Sequence, residues 1–232
     1  MTTIADLEVR NATPREDNQD PNLFGQTPSQ TVGPYFHYAL PWKGGADLVE
    51  RTEMGARPDL MPPEHYLLGV SRVWGRPKGE VIDLGGCIYD GNGAPVEDAM
   101  IEIWQANAAG RYASIDDSRE DVPLDPAFIG FGRSATDKNG IWRVRTIRPG
   151  SVPGPGNSLQ TPHIAVSVLG RGLLKRLATR IYFADCDNST DPILCLVPEE
   201  RRHTLIADRK PDGTWWRDIV LRGDNETVFF AL

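Results

Sequence analysis

Apolar and polar side chains alternate with period two over several short stretches of this chain. In VIDLGGCIYD (81–90), Ile82, Leu84 and Ile88 alternate with Asp83 and Tyr89, the pattern of a half-buried β-strand. Asp90-Gly91-Asn92-Gly93 then supplies the residue types that a tight turn at positive φ requires, and AMIEIWQA (99–106) reads as the return strand. The same succession recurs in RSAT (133–136), the turn Asp137-Lys138-Asn139-Gly140, and IWRVRTI (141–147). There Trp142 and Val144 face one way, Arg143 and Arg145 the other. HIAVSVL (163–169) places Ile164, Val166 and Val168 toward a core and His163, Ala165 and Ser167 on the opposite face. TRIYF (179–183) and WRDIVLRG (216–223) complete the set. Short alternating strands joined by glycine turns predict an all-β chain, an antiparallel β-sandwich with long loops and one or two short helices. One helix is placed, with Pro198 at its first position, Glu199 and Glu200 in the first turn, and basic residues running on to Leu205 and Ile206.

The chain divides into three parts. Residues 1–22 are polar, carry Pro14 and Pro21 and show no period, and so read as a mobile tail. Residues 23–80 read as an extended arm and linker. Within them TPSQTVGPYFHYALPW (27–42) is dense in aromatics, while Pro28, Pro34 and Pro41 forbid a continuous helix. Such a segment must lie against a surface, either its own domain or a partner chain. Residues 81–232 form the sandwich body.

Composition narrows the function. Of 232 residues 23 are Gly and 19 are Pro, which favours turns over long helices. A net charge of −7 repels a phosphate backbone and argues against nucleic acid as a partner. No apolar run approaches the roughly 18 residues of a membrane span, and the acidic N-terminus has no targeting character, so a cytoplasmic place is expected. Cys87, Cys186 and Cys195 lack C-x-x-C spacing and read as free thiols in a reducing compartment.

Few residues offer chemistry. His163 stands at the mouth of a 13-residue Gly/Pro/Ser loop (150–162); it is a possible ligand or base, although a hydrogen-bonded edge residue is the commoner role. Tyr112, just beyond a strand end, is an oxygen donor suited to a hard cation, or a packing residue with one hydrogen bond. A stable mononuclear site needs three or four protein ligands, and His37, His65 and His203 show no i, i+2 or i, i+4 pairing. No nucleophile elbow, P-loop or dinucleotide fingerprint is present. Arg171, between Gly170 and Gly172, is either a carboxylate clamp or a solvated loop residue. The residues alone leave open a self-sufficient non-haem iron enzyme and a non-catalytic β-sandwich module that binds a small ligand.

Longer blocks carry a resemblance. GCIYDGNGAPVEDAMIEIWQANAAGRY, FGRSATDKNGIWRVRTIRPG and PHIAVSV are similar to the intradiol ring-cleavage dioxygenases, from about Gly79 to the C-terminus. The arm TPSQTVGPY (27–35) and the ending ETVFF (226–230) resemble the alpha chain of a branch built from related alpha and beta chains. The resemblance implies Fe(III) held by two tyrosines and two histidines. Tyr112 falls on the first tyrosine and His163 on the first histidine, but the second histidine is Ala165 and the second tyrosine falls on Val152. It therefore implies no catalytic residue and no metal in this chain alone, with Fe(III) held by a partner beta chain in a hetero-oligomer. The implied reaction is O2-dependent cleavage of protocatechuate between its hydroxyl-bearing carbons, giving 3-carboxy-cis,cis-muconate. Thr31, Gly33, Pro34 and Tyr35 match arm positions that wall the substrate pocket, and Arg171 matches an arginine near the substrate carboxylate.

Overall fold

The computed structural model describes residues 45–50, 52, 54–55 and 75–231. The predicted tail and most of the predicted arm lie outside the described residues, as do His37 and His65. The long strands are those the alternation predicts, and they build the expected β-sandwich, although its pairing is not antiparallel throughout: three short strands near the C-terminal end pair parallel. One limb is centred on β1 (Val81–Tyr89), paired antiparallel with β4 (Ile141–Ile147) and parallel with the short β10 (Trp215–Trp216) and β11 (Ile219–Val220). The other limb runs β3 (Phe131–Ala135), β2 (Met100–Trp104), β7 (His163–Leu169), β8 (Leu177–Phe183), β9 (Ile206–Arg209). β9 pairs with both β8 and β10 and so joins the limbs into one nine-stranded sheet.

The apolar face of every long strand points between the limbs. Ile82, Leu84 and Ile88 meet Ile101, Ile103, Trp142, Val144, Ile164, Val166, Val168, Ile181 and Phe183 in one cluster. Burying each such side chain contributes about 1.5–3 kcal/mol, which is why the period-two pattern dictates the layers. Leu48 and Ala46, on the segment before the body, close this core at the β4 edge: Leu48 N–H donates to the Arg145 carbonyl at 2.8 Å, and Arg145 N–H to the Ala46 carbonyl at 2.7 Å.

Four local details differ from the sequence-based expectation. The turns form, with Gly93 at φ +79° and Gly140 at φ +72°, yet they do not close long hairpins. β1 pairs with β4 from Val81↔Ile147 to Cys87↔Ile141, while β2 pairs with β3 and β7. Turn chemistry reverses the chain; burial decides which limb receives the next strand. The predicted strand 216–223 is broken at Arg217-Asp218, where the Asp218 carboxylate accepts from Cys87 N–H and Trp216 Nε1–H, both at 2.8 Å. The predicted helix is one turn, α1 (Glu199–Arg202), with Pro198 as its cap. A 3-10 turn follows at His203–Leu205, and Ile206 already begins β9. Finally, the loop 150–162 contains its own hairpin, β5 (Val152–Pro153) with β6 (Leu159–Gln160).

Candidate functional site

Beyond the end of β2 the chain makes a tight loop that presents Tyr112. Asn107 organises it: its side-chain oxygen accepts from Ala109 and Arg111 N–H, both at 3.0 Å, and its amide donates to the Pro123 carbonyl at 2.9 Å. Its main-chain carbonyl accepts from both Gly110 and Gly150 N–H at 2.9 Å. Gly110 sits at φ +83°, and a Cβ there would lie 2.0 Å from the Ser151 carbonyl oxygen, so only glycine lets the two loops touch. The Asp117 carboxylate then accepts from Tyr112 N–H at 2.8 Å and holds Arg119 through two nitrogens, at 2.6 and 2.8 Å. The Arg119 guanidinium keeps the Asp117 carboxyl well below the usual carboxylate range.

Tyr112 stacks on Trp104 (ring centroids 5.7 Å apart, planes at 16°). Both line a cleft of about 490 Å³ with Ser114, Arg119, Val152 and Gln160. The β5–β6 hairpin forms the opposite wall, so Tyr112 and Val152 face one space although forty residues separate them.

His163 lies behind this cleft, 5% exposed. β7 is flanked by β2 and β8, but the β2 pairing ends at Trp104↔Ala165, so His163 stands at the strand's end and is paired only with Tyr182 on β8. Its Nδ1–H donates to the Thr161 carbonyl at 2.8 Å, and its ring lies 5.6 Å from that of Tyr182, its register partner on β8. Burial, helped by the nearby Arg180 cation, pushes the imidazole down to about 4, so the ring is neutral near pH 7. Burial also raises the Tyr112 phenol above its ordinary value. The Tyr182 hydroxyl donates to the fully buried Asp191 at 3.1 Å. Asp191 also accepts from Thr161 N–H (2.7 Å), Ile193 N–H (2.9 Å) and Leu194 N–H (2.8 Å).

The structure thus brings together Tyr112, Val152, His163 and Ala165 at one end of the β2–β7–β8 limb. It does not bring Arg171 to them. Arg171 follows the opposite end of β7, roughly 20 Å along the strand from His163 at ~3.3 Å per residue, and forms an ion pair with Asp98 of its own chain. Thr31, Gly33, Pro34 and Tyr35 lie outside the described residues. Sequence reading missed Asn107, Asp117, Gln160, Arg180 and Asp191. Asn107 stood within the quoted IEIWQANAAGRY block, and TRIYF was read for its strand period alone.

The residues present do not fit the Fe(III) site that the resemblance implies. Val152 and Ala165 carry no donor atom, and the Tyr182 hydroxyl is committed to Asp191. Tyr112 and His163 leave one oxygen and one nitrogen, short of a mononuclear set. Among the described residues no group of three or more His, Cys, Asp or Glu could hold a metal ion. No helix among them is long and apolar enough to cross a membrane.

Comparison with known proteins shows what the chain resembles. The family described as Dioxygenase matches residues 63–213. The chain is 38% identical over 218 residues to the protocatechuate 3,4-dioxygenase alpha chain of Pseudomonas putida, covering 90% of this chain and 97% of the relative. The alpha chain of Burkholderia cepacia is 39% identical over 214 residues, covering 88% of this chain and 96% of the relative. The beta chain from Burkholderia cepacia is 40% identical over 179 residues, but covers only 73% of this chain and 76% of itself. In three dimensions an intradiol ring-cleavage dioxygenase from Tetranychus urticae superposes with a TM-score of 0.50 at 19% identity, over 67% of this chain and 88% of that one, a likeness of fold.

Proposed function

Because the chain belongs to the intradiol ring-cleavage dioxygenase family, we propose that it is the alpha-type subunit of a heteromeric protocatechuate 3,4-dioxygenase. In this reading it shapes the substrate pocket of a beta chain that holds Fe(III), and ring cleavage with O2 takes place at that chain's metal. The observation that carries the reading is the interrupted donor set: Tyr112 and His163 stand where two ligands are expected, and Val152 and Ala165 where the others should be. Likeness to alpha chains over 88–90% of the sequence, against 73% for a beta chain, supports it.

The arm supplies Thr31, Gly33, Pro34 and Tyr35 to the partner's pocket. Its prolines leave less conformational entropy to lose on docking, which suits a segment that wraps another chain. Arg171 supplies positive charge to the substrate carboxylate. Its distance from Tyr112 and His163 is consistent with service to a pocket other than this chain's own. The assembly works in the cytoplasm, where Cys87, Cys186 and Cys195, unpaired here, stay reduced.

Metal analysis, absorption spectra and ring-cleavage assays on the chain expressed alone, and then with its beta partner, test the proposal. Iron, a tyrosinate-to-iron absorption band and activity are expected only in the complex. Stoichiometric iron and colour in the lone chain would overturn it in favour of a self-sufficient enzyme. A stable lone chain that gains nothing from any beta chain would point to a ligand-binding module.

A further inference from the structure

One row of side chains crosses three strands on the outer face of the site. Trp104 on β2, Ala165 on β7 and Arg180 on β8 are register neighbours. At ~4.8 Å between strands, the Arg180 backbone lies roughly 10 Å from that of Trp104, with a single methyl group between them. Tyr112 stacks over Trp104 on one side of that gap. Arg180 enters from the other side: its Nη1 donates to Gln160 Oε1 at 2.6 Å and reaches the Tyr182 hydroxyl at 3.5 Å.

Arg180 is half-buried, yet among the described residues no carboxylate pairs with it. Asp191, the buried acid beneath Tyr182, is occupied by Tyr182 and by the backbone N–H groups of Thr161, Ile193 and Leu194. The other groups around the guanidinium are neutral: an amide, two phenols, an imidazole and the Phe230 ring, whose centroid lies 5.9 Å from the guanidinium carbon. Its field reaches both surviving donor residues, since it opposes protonation of His163 and favours ionisation of Tyr112. The Asp191 charge lies one hydroxyl away, beneath Tyr182, and does not pair with the guanidinium directly; at His163 the arginine's charge outweighs it, and a second cation placed within a few ångströms of Arg180 is repelled.

We infer that Arg180 is a metal-excluding residue, whose guanidinium uses the space left open by Ala165 and sets a permanent cation beside Tyr112 and His163. The site is therefore closed to metal as well as short of donors. A histidine at 165 would share the outer face of β7 with His163, two residues away, and with Tyr112 would restore three donors. With Arg180 in place that set stays empty.

The inference rests on the proposal that this chain holds no iron of its own, and one experiment separates the two. Ala165→His, Arg180→Met, A165H/R180M and A165H/R180K are each prepared in complex with the beta partner, desalted, and titrated with Co(II). Co(II) is counted separately from iron and reports its ligands by its d–d bands. Wild type, both single variants and A165H/R180K, which keeps the charge, are expected to take up no cobalt. A165H/R180M is expected to take up about one equivalent per chain, lost again when Tyr112→Phe is added. Uptake by A165H with Arg180 present, equal uptake by the lysine and methionine variants, or none in A165H/R180M that still assembles with wild-type circular dichroism, would each overturn the inference. Iron in the wild-type chain expressed alone would instead sink the proposal beneath it.

Discussion

Arg171 and Asp98 form an ion pair at the end of β7 remote from His163, with the arginine side chain 58% exposed and the aspartate 15%. An exposed pair of this kind adds at most about 1 kcal/mol to stability; under the proposed function its part is to aim the guanidinium. Arg171→Ala in the assembled enzyme is expected to weaken protocatechuate binding by roughly tenfold or more, the worth of a charge-assisted carboxylate contact, with iron content unchanged. Asp98→Asn should weaken binding less, through KM and not kcat, because the arginine remains but is no longer aimed. Steady-state kinetics and metal analysis of both variants decide the matter, and an unaltered KM in Arg171→Ala removes Arg171 from the pocket.

Gly110 is required by the contact between its loop and Ser151. A methyl group there meets a carbonyl oxygen at 2.0 Å, at φ +83°; at Gly93, φ +79°, it would meet nothing within 4 Å. Left-handed backbone alone costs about 1–3 kcal/mol for a residue other than glycine. Gly93→Ala should therefore lose about 1 kcal/mol, and Gly110→Ala about 3 kcal/mol or more, a fall in Tm of roughly 6–12 °C for a chain of this size. Equal melting temperatures for the two variants would mean that the Gly110–Ser151 approach is not built as described.

The contrast between these two glycines also shows what was legible in the sequence. Gly93 lies in the turn that the sequence predicts, and that turn forms; the turn that places Gly110 was not read from the sequence. Alternation placed Ile82, Trp142, Ile164 and Val168 in the core because a strand has only two faces. The layer to which each strand belongs was not legible: the turn after Tyr89 looks the same whether β2 returns beside β1 or crosses to the other limb. Tyr112 and His163 stood out by residue type beside a strand end and a long loop, and motif resemblance set them in one donor set with Val152 and Ala165. Arg180 was hidden because its role depends on lying across from Ala165, a register that no local pattern records. Asp117 and Asp191 were hidden because short acidic side chains in loops are ordinarily solvated, and only the fold turns them inward.

The Asp117–Arg119 pair should be worth more than the Asp83–Arg145 pair, although both are two-nitrogen contacts. Asp117 is 9% exposed and Arg119 28%, against 46% and 39% for Asp83 and Arg145. Water screens the outer pair. Double-mutant cycles in urea are expected to give a coupling of about 1.5–3 kcal/mol for Asp117–Arg119 and under about 1 kcal/mol for Asp83–Arg145. Because Asp117 also holds Tyr112 N–H, Asp117→Asn should shift tyrosine fluorescence as well. Similar couplings for the two pairs would contradict the burial argument.

Asp191 contributes a pH dependence to the site region, beside those of His163 and Asp117. Burial opposes its ionisation, but the N–H groups of Leu194, Thr161 and Ile193, with the Tyr182 hydroxyl, outweigh that and hold the carboxyl below its ordinary value. A carboxylate whose pKa is lower folded than unfolded contributes fully above the unfolded value, near 3.9, where both states are ionised. As pH falls past that value the unfolded chain gains a proton that the folded chain refuses, so the contribution fades as pH falls through the folded pKa. Asp191→Asn keeps the shape but not the charge, and it turns an amide toward donors that need an acceptor. It should cost about 2–3 kcal/mol near neutral pH. The stability gap between wild type and Asp191→Asn, followed by urea unfolding from pH 7 to pH 2.5, should be flat down to about pH 5 and shrink below about pH 4. A gap that stays constant to the acid end would show that Asp191 is not held as an ionised acceptor beneath Tyr182.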